Sequence, residues 1–206
     1  PLFNGASEFK ISNYLEYLSG LEYKSKNIIN KINGIYIVRN KKNLLFFDIG
    51  SPPEKKYSKS YQSGPLSFEY FIEDNKIITN CGFGNKISKK AELISRLTSA
   101  QSTLCLNDSS VVKFERNNLI NRAFGAAATS TFKVFGLDIN DTANFITLSG
   151  KHNAYEDNFS YTHHRVIKID KKNNNLFGED NLISTSESKK LLNMYSIRFH
   201  LYPGIN

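Results

Sequence analysis

Tryptophan is missing from the 206 residues, methionine occurs once and cysteine twice. Two cysteines, Cys81 and Cys105, cannot build a disulfide framework. Each sits in an apolar, strand-like run, so reduced core thiols are expected; a single bridge would need an oxidising compartment. No Cys-x-x-Cys pair or Cys/His cluster offers a zinc knuckle. No run reaches the ~18 apolar residues that a membrane span needs. No leader peptide is visible, and the first residue is Pro1, so the chain reads as a fragment or processed product. Gly82-Phe83-Gly84 is too short for a phosphate loop and reads as a turn. Gly-x-Ser-x-Gly and His-Glu-x-x-His are both absent, which removes the serine-hydrolase elbow and the helical zinc protease site. No repeat of fixed period appears.

The chain does have aromatic residues: 15 Phe and 11 Tyr, which favour strands. Leu66, Phe68, Tyr70 and Ile72 alternate with Ser67 and Glu69, a period of two. Short β-branched or aromatic runs at 35–38, 44–49, 76–81, 102–106, 111–115, 132–137, 145–148 and 163–169 read as further strands. In the last strand Tyr195, Ile197, Phe199 and Leu201 share one face, expected to be the core face. Ser196, Arg198 and His200 share the other. One helix is expected after the cap Ser7, through Ile11, Tyr14, Leu15 and Leu18, ending at Gly20. Residues 89–97 have helical propensity, but their apolar stripe is weak and strands flank them, so no helix is assigned there. These elements predict an all-β fold of stacked antiparallel sheets, sandwich-like, with one short N-terminal helix.

The formal net charge is +8, from 27 Lys+Arg against 19 Asp+Glu. A basic surface attracts polyanions, although an AT-rich coding bias towards Lys, Asn and Ile gives the same total. The Lys/Arg residues are scattered in short pieces, unlike a nucleic-acid tail, and the aromatics alternate into an expected core rather than onto a stacking face. No nucleic-acid partner is therefore expected. Of the four histidines, His163 and His164 are neighbours and must point to opposite faces of a strand. His163 with Arg165, and Arg198 with His200, give two strands that each pair a His with an Arg. Together they can line a basic groove for carboxylates or sulfates. An ordinary solvated sheet face explains the same pattern.

Several segments, in order, resemble the C-terminal domain of the heparinase II/III-like family. They are 3–5 (FNG), 47–53 (FDIGSPP), 62–69 (QSGPLSFE), 79–82 (TNCG), 100–104 (AQSTL), 152–155 (HNAY), 163–165 (HHR), 178–180 (GED) and 198–203 (RFHLYP). The resemblance implies a parent with an N-terminal α/α toroid followed by stacked antiparallel sheets. Residues 1–25 would be the end of the toroid and a connector, and 26–206 the sheet domain. It implies β-elimination at a uronic acid of an acidic polysaccharide, with toroid Tyr and His or Asn residues carrying the proton transfers. This part alone would then be inactive, and its partners would be the polysaccharide and the toroid. The same resemblance favours the periplasm or cell envelope, with the cytoplasm still open.

The chain departs from the family pattern where the family places a catalytic His and, two residues later, a metal-binding His. Those positions read Ser60 and Gln62. The other two metal positions fall on Asn80 and Gln101. Neutral amides bind zinc poorly beside imidazole and carboxylate, so no zinc and no other cofactor is expected. The amides can instead hydrogen-bond a sugar. The expected substrate-side residues are Gln62, Gln101, His152, His163, Arg165, Arg198 and His200, with His152 and Arg165 placed there by the resemblance. Two functions stay open: a polysaccharide lyase domain, and a non-catalytic glycan-binding or envelope-structural module on the same fold.

Overall fold

The computed structural model describes residues 13, 16–21, 30–40, 42–115, 126–186 and 194–205. Most of the expected N-terminal helix lies outside them, although residues 16–20 are helical. The strands are β1 (Lys31–Ile32), β2 (Ile35–Arg39), β3 (Asn43–Asp48), β4 (Phe68–Ile72), β5 (Asn75–Thr79), β6 (Leu104–Leu106), β7 (Val134–Asp141), β8 (Phe145–Tyr155), β9 (Tyr161–Asp170), β10 (Leu176–Ser184), β11 (Tyr195–Ile197) and β12 (His200–Leu201). Among the described residues, two further short α-helices are α1 (Lys89–Ser95) and α2 (Glu156–Phe159).

One antiparallel sheet runs β1-β2-β3-β4-β5-β12, a second runs β10-β9-β8-β7, and β11 pairs with β6. Asn33-Gly34 turns β1 into β2 with both residues at positive φ, as a two-residue mirror-image turn requires. Alternation then aims every second residue inward. Leu45, Phe47, Phe68 and Tyr70 of the first sheet meet Ile146, Leu148, Ile167 and Ile169 of the second, all buried. A second cluster, including Leu104, Leu106, Val112, Phe114, Phe132 and Tyr155, lies under the irregular segments at one end.

Several expectations are corrected here. Residues 89–95 do form a helix: Ser88 accepts Ala91 N–H at its start, and a good cap offsets the weak stripe. Residues 111–115 make one isolated bridge, Phe114 with Ala128, rather than a strand. β8 runs on past Leu148 to Tyr155, and β10 occupies 176–184, where no strand was assigned. The last strand is two pieces that pair with different partners, β6 and β5. Its apolar face points outward: Tyr195, Ile197, Phe199 and Leu201 are exposed, while Ser196, Arg198 and His200 are half-buried. Both cysteines are free; Cys105 is buried, but Cys81 is exposed rather than in the core.

Candidate functional site

The inward stripe of β9 changes character along its length. Ile169 and Ile167 give way to Arg165 and His163, all fully buried. On β8 the matching stripe runs Ile146, Leu148, Gly150, His152. The core of the sandwich therefore continues into a polar end. Buried polar groups cost free energy unless each finds a partner, and here they do.

The hydrogen bonds fix a direction through the group. A bulge after His152 brings Ala154 N–H to its Nδ1, at 3.2 Å. Nδ1 thus accepts, and the proton sits on Nε2, 2.9 Å from Nδ1 of His163. His163 then donates from Nε2 to Asp180 Oδ1, at 2.6 Å. Arg165 donates from Nε to Oδ1 and from Nη2 to Oδ2 of the same carboxylate, at 2.8 and 2.9 Å. Its Nη1 reaches two backbone carbonyls, Leu66 O at 2.9 Å and Ser102 O at 2.8 Å. The rings of Phe132 and Tyr155 pack at a tilt against His152, and the Tyr155 hydroxyl donates to Leu104 O.

The charges follow from these surroundings. Burial pulls both His152 and His163 below the ordinary imidazole range, well below for His152, and the Arg165 charge adds to this for each. Burial pushes Asp180 upward, but the hydrogen bonds from His163 and Arg165 outweigh it and hold the carboxyl well below its usual range. The quartet is two neutral imidazoles, one carboxylate and one guanidinium, with no net charge.

Arg165 connects this quartet to a shelf of amides. Leu66 precedes Ser67, whose Oγ accepts from Asn80 Nδ2 at 3.3 Å. Ser102 N–H donates to Asn80 Oδ1 at 2.7 Å, and Ser102 Oγ donates to Thr79 O. Gln101 is buried, donates to Ser95 O at 2.8 Å and lies against Gly64, where an added Cβ would come within 2.8 Å of it. That Cβ would also meet Ser67 Oγ at 2.9 Å. Gln62, two residues before Gly64, is half-buried, as is Asn80. On β3, Asp48 donates its N–H to Ser67 O at 2.9 Å and is half-buried; burial pushes its pKa up to about 7, against the lowering bond from Gly50 N–H.

The expected residues therefore separate. His152, His163 and Arg165 join one buried group, and Gln62 and Gln101 flank the shelf. His200 is half-buried, with its N–H on Ser102 Oγ and its Nε2 at Ser99 O. Arg198 is half-buried and pairs with Asp108 at 2.9 Å. The basic groove expected between the two His/Arg pairs does not form, because His163 and Arg165 turn inward to Asp180. The groove beside them, about 300 Å³, is lined by Phe68, Phe177, Ile197, Phe199 and Asp180 among others. Asp180 was not singled out from the sequence, yet it faces Arg165 in strand register. The available signal was parity: His163 and Arg165 share the face of Ile167 and Ile169. Among the described residues no three His, Cys, Asp or Glu side chains gather as metal ligands.

A family model described as heparinase II/III-like, C-terminal, matches residues 32–206. The fold is similar to the crystal structure of heparan sulfate lyase HepC from Pedobacter heparinus and to that of a mutant of it. Each similarity has a TM-score of 0.58 at 16% identity, over 85% of this chain and 28% of that one. A heparinase III structure, the BT4657 gene product, matches at TM-score 0.49 and 15% identity, over 82% of this chain and 27% of that one. The chain thus spans little more than a quarter of the length of the structures it matches. A search of curated proteins gives no match.

Proposed function

Because the chain belongs to the heparinase II/III-like family, we propose that it is the β-sheet part of a lyase that breaks uronate-containing acidic polysaccharides by β-elimination. The family match over residues 32–206 carries this reading. In such a reaction a base takes the proton beside the carboxylate, and the bond to the neighbouring glycosidic oxygen breaks. A carbon–carbon double bond forms, and the departing oxygen is protonated. The acid and base belong on a helical toroid in a longer parent. This chain's part is to hold the polymer. The +8 charge draws a polyanion, and the Gln62 amide and the second N–H of the Asn80 amide are offered to hydroxyls and carboxylates. The outward stripe of Tyr195, Ile197, Phe199 and Leu201 is the surface that the toroid would cover. A periplasmic or cell-envelope location fits a polymeric substrate.

The amides do not fit the family's zinc. Asn80 uses its oxygen for Ser102 N–H and its nitrogen for Ser67 Oγ, and Gln101 spends its nitrogen on Ser95 O. A cation at Asn80 Oδ1 would compete with the Ser102 N–H, and every ligand of the set would be a neutral amide. No step is assigned to a metal.

A second reading has its own support. Ser60 and Gln62 stand where the family resemblance puts two histidines, which favours a module that binds glycan without cutting it. Ultraviolet absorbance of the unsaturated sugar separates the two, using the full-length parent on heparan sulfate, alginate and hyaluronan. Product from the parent supports the lyase. Binding without product, with and without added zinc, leaves the glycan-binding module.

A further inference from the structure

We infer that Arg165 is the positioning residue of the amide shelf: its Nη1 ties the carbonyls of Leu66 and Ser102, and so sets where the half-buried Asn80, backed by the buried Ser67 and Gln101, can meet a glycan. Arg165 touches no open surface, being 1% exposed, so it acts through the two segments it holds. These are the segments that carry the shelf. Leu66 is joined to Ser67, and Ser102 to Gln101. Ser102 N–H in turn fixes the Asn80 oxygen at 2.7 Å.

The tie is needed because the Leu66 backbone is in an unfavourable shape. Leu66 has φ +57 and is fully buried, a left-handed conformation that a side-chain-bearing residue keeps only when its surroundings insist. Three groups do so. Asp48 O accepts its N–H at 3.0 Å, and Arg165 donates to its carbonyl. Gly150 leaves room for its side chain: a Cβ there would lie 2.9 Å from Leu66 Cδ2. Gly150 also pairs with Arg165 across the β8–β9 ladder, so the gap and the guanidinium belong to one position.

Only arginine can make all these contacts. Its planar fork gives Nε and Nη2 to Asp180 while Nη1 still reaches both carbonyls. A lysine keeps the charge but has one nitrogen on a flexible stem. His163 and His152 supply the opposite side: His163 donates to Asp180 Oδ1 and accepts a hydrogen bond from His152 Nε2–H, which leaves Asp180 one orientation. The role towards a glycan rests on the proposed function above; the mechanical role does not.

The test uses the full-length protein with Arg165→Lys, and Ile169→Val as a control that loosens the core away from the quartet. Hydrogen exchange is read by mass spectrometry in peptides covering 64–68, 79–82 and 100–103. Peptides covering 145–149 and 166–170 report the distant ladder. Affinity for a heparan sulfate oligosaccharide is read by calorimetry. Arg165→Lys is expected to raise exchange in the three shelf peptides roughly tenfold, as loss of a buried hydrogen bond implies, with the distant ladder unchanged. Oligosaccharide affinity should fall by a similar factor, and Ile169→Val should do neither. Shelf exchange no faster in Arg165→Lys than in Ile169→Val, at equal loss of melting temperature, overturns the inference. If Arg165→Lys does not fold, His163→Gln takes its place, with a smaller rise in the same peptides expected and no rise overturning the inference. If the wild type neither binds nor cleaves any uronate polymer while the exchange signature appears, the glycan reading falls and the positioning role stands.

Discussion

Replacing Asp180 with asparagine should be among the most damaging single-atom changes available in this domain. The Asp180 side chain is 4% exposed and accepts three hydrogen bonds, two at Oδ1 and one at Oδ2. Asparagine must turn an NH2 towards one of those oxygen positions. If the NH2 replaces Oδ2, it faces the donating Nη2 of Arg165; if it replaces Oδ1, it faces two donors. Either way the Arg165 charge stays buried without a counter-charge. Removing one partner of a buried pair costs about 3–5 kcal/mol. For a chain of this length that is a fall of roughly 6–20 °C in melting temperature. Urea unfolding of wild type, Asp180→Asn, Arg165→Gln and the double variant gives the magnitude and the coupling. The double variant should lose little more than the worse single one, since both singles break the same contact. A loss below about 1 kcal/mol for Asp180→Asn, or strict additivity, would refute the account of the quartet.

Two further outcomes follow from the same structure. His152 and His163 are held neutral, their pKa values lowered by burial, so the unfolded chain binds their protons first as pH falls through about 6.5. Stability is full above that pH and falls below it, by at most about 2 kcal/mol per histidine between pH 7 and pH 5. Asp48 runs the other way. Its folded pKa of about 7 lies above the unfolded value of 3.8, so the fold gains from Asp48 as pH drops through 7. Asp48→Asn should therefore expose a steeper acid-side loss in denaturation curves at pH 5–8; a variant whose stability is flat from pH 7 to pH 5 contradicts the assignment. Gly34 has φ +81, and an added Cβ would stand 2.8 Å from Gly50 Cα, whereas Gly82 at φ +73 has nothing within 4 Å. Gly34→Ala should cost about 2–4 kcal/mol and Gly82→Ala about 1 kcal/mol, both by thermal unfolding; equal losses would mean that the hairpin yields.

The sheet architecture was readable because the alternation in 66–72 and the β-branched and aromatic runs at 35–38, 44–49 and 163–169 have one physical cause, a face buried against another sheet. What escaped was polar residues on that same face. Ser149 to His152 looked like the end of a strand because the inward positions carry Gly150 and His152, not leucines. β10 was missed for a related reason: Gly178, Glu179 and Asp180 have low strand propensity, and the pairing of Asp180 with Arg165 holds them in the ladder. His163 and Arg165 were read as a solvent-side pair, although their parity with Ile167 and Ile169 puts them inward. The last strand failed in the opposite sense. Its apolar parity is real, but the chain breaks at Arg198, joins two different neighbours and leaves those side chains outside. Parity within a strand gives which residues share a face; it does not give which face is buried.

The closed wiring of the quartet constrains where chemistry can happen. His152 Nδ1 is taken by Ala154 N–H, its Nε2 proton by His163, and the His163 Nε2 proton by Asp180. No imidazole nitrogen is left to accept a substrate proton, and both rings resist the charge that accepting one would create. Under the proposed elimination, the base therefore has to come from outside this pair. The buried histidines hold the frame, and under the proposed function the half-buried Gln62 and Asn80 are the amides that a polymer would reach.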